Sequence, residues 1–398
     1  MPQRRPHRAR PRFEQLEDRS VPAVIATQDG AGIVSLTLDA ANDSATIVGV
    51  AANGTSIDVY DDAASSKIAS FTGVTGIQLA DGGTQSGQSV KFEDGGAGQS
   101  IAVSGSISVS NIETVQFATA NGHIQAGSVS VTGANLIRLD SDVTTSGATG
   151  QSYGGPVVLG AATVTLDAGA SGSVNFPQTV NGLTNGNNAL IVNAGGATTF
   201  TGIVGNTVPL ASIKTDALGS VSLGANIITA GAQTYNDPAI LTGISIALTS
   251  NSGGNVTFNN TLNGSSSGAN SLVVNTAGIT LFNAVVGTTP LGGLTTDNAG
   301  STHIKANITT IGAQTYNDPV LLFGNAIAVG STVGANISFN DTLNSSVAGE
   351  TALTVTTSTG TTTFGGDVGT TGALASLTTS EGSGNTVFGP NSVATPAR

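Results

Sequence analysis

The sequence has no cysteine and no tryptophan, only 4 tyrosines and 12 phenylalanines, and 9% charged residues. Without cysteine it has neither a disulfide framework nor a thiolate metal site, so backbone ladders and side-chain packing must supply stability. Apolar residues come in short runs. None approaches the roughly 18 to 20 residues of a membrane-spanning helix, which excludes a helical integral membrane protein. With 38% apolar residues, the chain also lacks the low hydrophobicity and high charge that mark disorder. Phosphate loops, zinc spacings and dinucleotide fingerprints are absent, and the 55 glycines fall at turn spacing rather than at helix starts.

Basic charge is scarce outside one segment. Arg4, Arg5, Arg8, Arg10, Arg12 and Arg19 account for six of the 12 basic residues. Residues 21–398 carry 21 acidic against six basic groups, a formal net of -15. Such a body repels the phosphate backbone that a nucleic-acid-binding protein must attract, so no nucleic-acid partner is expected.

What the sequence does have is a long repeat. GAQTYNDPAILTG at 231–243 returns as GAQTYNDPVLLFG at 312–324. Tyr153, Tyr235 and Tyr316 begin units of 82, 81 and 83 residues. SVNFPQTVNG, NVTFNNTLNG and NISFNDTLNS align at one phase, and ALIVNAGGATTF, SLVVNTAGITLF and ALTVTTSTGTTTF at another. Repetition at this period marks an array in which each unit supports its neighbour. Segments such as Val256-Thr-Phe258, Ile279-Thr-Leu281 and Ile337-Ser-Phe339 alternate with period two between Gly, Asn and Ser clusters, which predicts short strands and turns. No window free of glycine sustains helical spacing.

The expected fold is all-β, a right-handed parallel β-helix (β-solenoid). Val256, Leu272, Leu294, Tyr316 and Ile337 stand 16, 22, 22 and 21 residues apart, which predicts about four coils of about 20 residues per unit. At about 4.8 Å per coil, a unit would rise about 19 Å and the chain about 90 Å. Phe176, Phe258 and Phe339 share one phase and Phe200, Phe282 and Phe364 another, so these are expected inside, with Phe258 on Phe282 one coil away. Tyr235-Asn236-Asp237-Pro238 and Tyr316-Asn317-Asp318-Pro319 read as corners covered by tyrosine, with a turn-forming Asn-Asp pair and a proline that cannot donate to a ladder. Tyr153-Gly154-Gly155-Pro156 lacks the polar pair, which argues for a structural turn rather than metal ligation.

Three segments follow: a basic export- or sorting-like segment at 1–22, a diverged solenoid or N-terminal cap at 23–126, and the β-solenoid proper at 127–398. The first lacks the apolar stretch of a secretory or twin-arginine signal. Its FEQLEDRSVPA string resembles a short N-terminal motif of planctomycete surface and secreted proteins, with Leu16, Glu17, Asp18, Arg19 and Pro22 in the matching positions. That resemblance implies a role in export or sorting. From residue 23 onward, the strand texture and the GAQTYNDP string resemble bacterial β-strand-repeat and filamentous-haemagglutinin-like surface proteins. This implies a surface or secreted β-solenoid, in families that include adhesins and secreted passengers. At the far end, Pro390 and Pro396 are expected to interrupt strand pairing, as capped solenoid ends require.

Catalytic constellations are sparse, and no catalytic or cofactor-binding residue is nominated. His7, His123 and His303 are expected to be solvated. Calcium is the one cofactor left open, because hard cations take carboxylate oxygens. Its weak candidate ligands are Asp58, Asp61, Asp62, Glu93 and Asp94, beside a degenerate glycine-rich string, Gly95 to Ser100. The expected function is a non-enzymatic extracellular or cell-surface adhesin-like rod whose polar faces serve adhesion or matrix assembly. Its partners would be glycans, cell-surface or matrix components, or further copies of itself. The alternatives are a polysaccharide lyase or hydrolase on the same scaffold, with Arg138 beside Asp140 and Asp142, and a piece of a longer surface protein.

Overall fold

The structure, a computed structural model, describes residues 24–39, 41–62, 65–81, 86–118, 123–380 and 382–389. The leader with Leu16, Glu17, Asp18, Arg19 and Pro22 lies outside them, as do His7, Pro390 and Pro396. Among the described residues every regular element is a β-strand, and no helix is long and apolar enough to cross a membrane.

From Gly76 onward the strands pair in parallel, each with its counterpart one turn along the chain, so the fold is a parallel β-solenoid. Three ladders form its faces. The first contains Val174–Phe176, Ala197–Phe200, Ser220–Leu223 and Ala239–Leu241. The second contains Ile213–Thr215, Gln233–Tyr235, Val256–Phe258 and Ile279–Phe282. The third contains Gly293–Thr296, Gln314–Tyr316, Ile337–Phe339 and Thr361–Phe364. Most strands are short and place alternate residues inward, as in Val256, Thr257 and Phe258, where only the threonine faces out. The inward residues, mostly Val, Ile, Leu and Phe, form one continuous core.

Turn length varies from 18 residues between Ile304 and Leu322 to 30 between Ile77 and Ile107, with the slack taken up in loops between strands. The expectation of about four coils per unit is therefore sharpened. If the Val204 bridge is counted as a rung, eleven rungs separate Tyr153 from Tyr235, and eleven more separate Tyr235 from Tyr316. With three rungs to a turn, one unit is three and two-thirds turns. Successive copies thus step from face to face: Tyr153 lies on the first, Tyr235 on the second and Tyr316 on the third. Val256, grouped above with Leu272, Leu294, Tyr316 and Ile337, sits on the second face while those four lie on the third. The first-face ladder from Ile33–Leu38 to Ser376–Ser380 has fifteen rungs. That corresponds to about 67 Å rather than 90 Å, because most turns exceed 20 residues and the first strands make hairpins instead of coils.

Those hairpins occupy the N-terminal end. Val24–Gln28 pairs antiparallel with Ile33–Leu38, and Ser44–Gly49, Ile57–Asp61 and Ser66–Phe71 form an antiparallel meander. The coil grows from them, with Gly76–Asp81 on Ile33–Leu38 and Ser89–Asp94 on Ser44–Gly49, both parallel.

Candidate functional site

The recurring GAQTYNDP string is built into the interior, which fixes its role. Gln233 and Tyr235 are successive inward residues, both fully buried, and Tyr235 Oη donates to Gln233 Oε1 at 3.0 Å. Gln233 Nε2 donates to Thr229 Oγ1 at 3.2 Å and to the Thr249 carbonyl at 2.9 Å, and Thr229 Oγ1 donates to the Gly231 carbonyl at 2.6 Å. Gln314, Tyr316 and Thr310 repeat this network on the third face, and Gln151, Tyr153 and Thr145 supply its version on the first. Burial pushes the tyrosine hydroxyls well above their usual range, so they remain neutral donors.

Each tyrosine also starts an aromatic stack. Tyr235, Phe258 and Phe282 lie at 5.2 and 5.7 Å, Tyr153, Phe176 and Phe200 at 5.5 and 5.2 Å, and Tyr316, Phe339 and Phe364 at 5.0 and 5.5 Å. The expected Phe258–Phe282 contact is present. The expectation that tyrosine covers a corner is corrected: a ring at that register extends the inward column, where stacking adds about 0.5–1.5 kcal/mol per pair.

The corner itself is made by asparagine. Asn236 Nδ2 donates to the Thr215 carbonyl at 2.6 Å, Asn259 Nδ2 to Asn236 Oδ1 at 2.6 Å, and Asn283 Nδ2 to Asn259 Oδ1 at 3.0 Å. Asn317 and Asn340 begin the same ladder in the next unit. The carbonyls of Pro156, Pro238 and Pro319 each accept a backbone N–H from the preceding turn at 2.8–2.9 Å, so these prolines, which have no N–H to give, take part in the ladder as acceptors. Asp237 and Asp318 turn inward and are almost fully buried. Asp318 accepts from the hydroxyls of Thr296 at 2.7 Å and Thr302 at 2.8 Å. Val221 stands at the place of Thr302 one unit earlier, and neither carboxylate oxygen of Asp237 has a hydrogen bond of acceptable geometry. Burial raises Asp237 to about 7, with the Thr215 hydroxyl and the Asp216 carboxylate pulling in opposite directions. Burial raises Asp318 less, to about 6, because two threonines hold it.

Geometry divides the remaining candidates. Asp58 accepts from Lys67 Nζ at 3.3 Å and Ser70 Oγ at 2.6 Å, Asp62 accepts from Thr46 Oγ1 at 3.0 Å, and Glu93 pairs with Lys91. Asp61, Asp62, Glu93 and Asp94 line one cleft of about 450 Å³, but Asp58 is not among its residues. Among the described residues no group of three His, Cys, Asp or Glu could hold a metal ion. Asp140 is bound by Arg138 Nε at 2.8 Å and Gln116 Nε2 at 2.6 Å, while Asp142 accepts the Thr165 N–H at 2.7 Å. These carboxylates serve neighbouring strands. His123 is exposed; His303 packs on Phe323 at 5.2 Å, and burial, with Lys305 nearby, lowers its pKa.

A feature missed in the sequence is an outward stripe on the first face. Ser35, Gln78, Ser108, Ser130, Ser152, Asn175, Thr199 and Ser222 occupy eight consecutive rungs in direct register. All eight are neutral, and none makes a side-chain hydrogen bond within the described structure. The stripe ends at Ile240. Comparable columns elsewhere are mixed: Lys91, Gln116, Arg138 and Val158 on the third face, Thr165, Ile191, Lys214 and Thr234 on the second. Ser35 and Gln78 are 43 positions apart, so no local pattern announces their contact; only the ladder does.

No protein-family model and no solved structure matches the chain. Over 275 residues, 64% of its length, it is 29% identical to "Outer membrane protein A" of Rickettsia rickettsii, and it spans 11% of that protein.

Proposed function

We propose that this protein is a non-enzymatic, extracellular or cell-surface solenoid whose exposed strand faces serve adhesion or matrix assembly. The observation that carries this reading is the uninterrupted stripe of neutral hydrogen-bonding side chains without protein partners, held on a stiff parallel ladder. Loose polar side chains lose conformational entropy when they bind, whereas side chains mounted on a paired strand have lost part of it already. The likeness to a rickettsial outer membrane protein supports a surface location. The pairing of Asp140 with Arg138 and of Asp142 with backbone favours scaffold roles for the acids that a glycan-cleaving enzyme would need free.

The test is adhesion of beads coated with the full chain to bacterial cells, host cells, extracellular matrix and each other. Retention above that of beads coated with an unrelated acidic protein is expected on at least one of these. Uniform failure removes the adhesive role and leaves only the rod.

A further inference from the structure

From the first-face stripe we infer a binding site for a neutral polysaccharide, laid lengthwise across Ser35, Gln78, Ser108, Ser130, Ser152 and the three rungs beyond. This rests on the adhesive reading above and names its ligand class.

Chemical type is the first argument. Serine, threonine, asparagine and glutamine both donate and accept, so they match a ligand that carries many hydroxyls of undetermined direction. The stripe contains no cation, and the body around it carries a formal net of -15. An acidic polysaccharide would be repelled, and a nucleic acid more strongly. A protein partner would be expected to meet aromatic or aliphatic anchors, which this column lacks until Ile240.

Spacing and relief are the second. One polar side chain appears every rung, about 4.8 Å, over seven steps, giving a straight track of about 34 Å. An extended polymer with a short, regular repeat can use such a track; a compact ligand would use only a part of it. The surface is also concave at the stripe's beginning. Ser35, Gln78 and Ser108 line one shallow groove of about 290 Å³, and Gln78 also lines a second of about 270 Å³ with Thr75 and Ser106.

Two further features fit. The side chains of the stripe have no competing partners, so binding exchanges water for ligand without first breaking internal bonds. The inward neighbours, Leu36, Leu79, Val109, Val131 and Tyr153, are all buried core residues, so the backbone under the track is rigid.

The test uses the full chain with soluble neutral polysaccharides (a β-1,3-glucan, a xyloglucan, a galactomannan and a dextran) and with alginate as the acidic comparison, measured by titration calorimetry and affinity electrophoresis. The variant Ser108→Val with Ser130→Val and Ser152→Val removes three hydroxyls and keeps strand-favouring side chains. Thr234→Val with Thr257→Val makes the same change on the second face, where these two residues are register partners. The expected result is binding to at least one neutral polysaccharide and none to alginate, weakened tenfold or more by the first variant and less than twofold by the second. Absence of binding to all four, preference for alginate, or equal affinity of the first variant and the parent overturns the inference. Bead adhesion measured in parallel separates the two readings: adhesion that survives the triple substitution defeats this site alone, while absence of adhesion defeats the broader role.

Discussion

Tyr153 and Tyr235 hold the same place in successive repeats, yet Tyr153 lies on the first face, in register one turn before the Phe176 rung, and Tyr235 on the second, against Phe258. A unit of eleven rungs on a three-sided coil cannot return to its starting face. The aromatic stacks therefore sit on three different sides of one core instead of forming a single column.

Removal of the tyrosine hydroxyl tests the buried network. Tyr235→Phe leaves Gln233 Oε1 without its donor in a dry interior, and an orphaned buried acceptor costs about 1–3 kcal/mol. The expected result in urea unfolding is a lower midpoint with an unchanged slope. Gln233→Leu with Tyr235→Phe should lower the midpoint further, because it also takes the Gln233 donor from the buried Thr249 carbonyl.

Truncation of the stack tests packing. Phe258 lies between Tyr235 and Phe282, and Phe258→Ala should destabilise by about 3–5 kcal/mol through lost burial and the cavity it leaves. If thermal unfolding is unaffected, the ring is not where the structure places it.

The asparagine corner should be worth less. Asn259 donates to Asn236 and accepts from Asn283 at a partly solvated edge, so Asn259→Ala should cost about 1 kcal/mol, at the low end for two hydrogen bonds. The loss should be the same in high and low salt, since no charge is involved.

The buried acids give the protein an unusual pH dependence. Asp237 has a folded-state pKa of about 7 against an ordinary value of 3.8, so the folded chain holds that proton more tightly than the unfolded chain. Its contribution to stability is complete below about 3.8 and is lost as pH rises towards about 7. Asp318 behaves likewise up to about 6. Denaturant midpoints for Asp237→Asn should therefore fall less between pH 4 and pH 7 than those of the parent. Parallel profiles would show that the carboxylate is not buried.

Much of this architecture can be read from the sequence, and the limits have a physical cause. Period-two alternation in Val256-Thr-Phe258 fixes strand and inward face, and the shared phase of Phe258 and Phe282 fixes the core. Turn count is harder, because loops lengthen freely: Leu248 and Val274 pair across 26 positions, Ile304 and Leu322 across 18. The tyrosine of GAQTYNDP reads as a corner residue because Asn236 and Pro238 follow it; its inward direction comes from Gln233 two positions earlier, a polar residue that does not advertise burial. The stripe from Ser35 to Ser222 was invisible for a related reason, since neutral outward residues separated by whole turns carry no signal within any one strand.

The one-third-turn step also bears on how such a chain lengthens. A strand edge offers the next rung the same backbone donors and acceptors whichever side of the coil it belongs to, so a duplicated segment fits if it contains whole strands, even when it does not contain whole turns. Copied markings then wind round the shaft like the band on a barber's pole and regain their original bearing with the fourth copy.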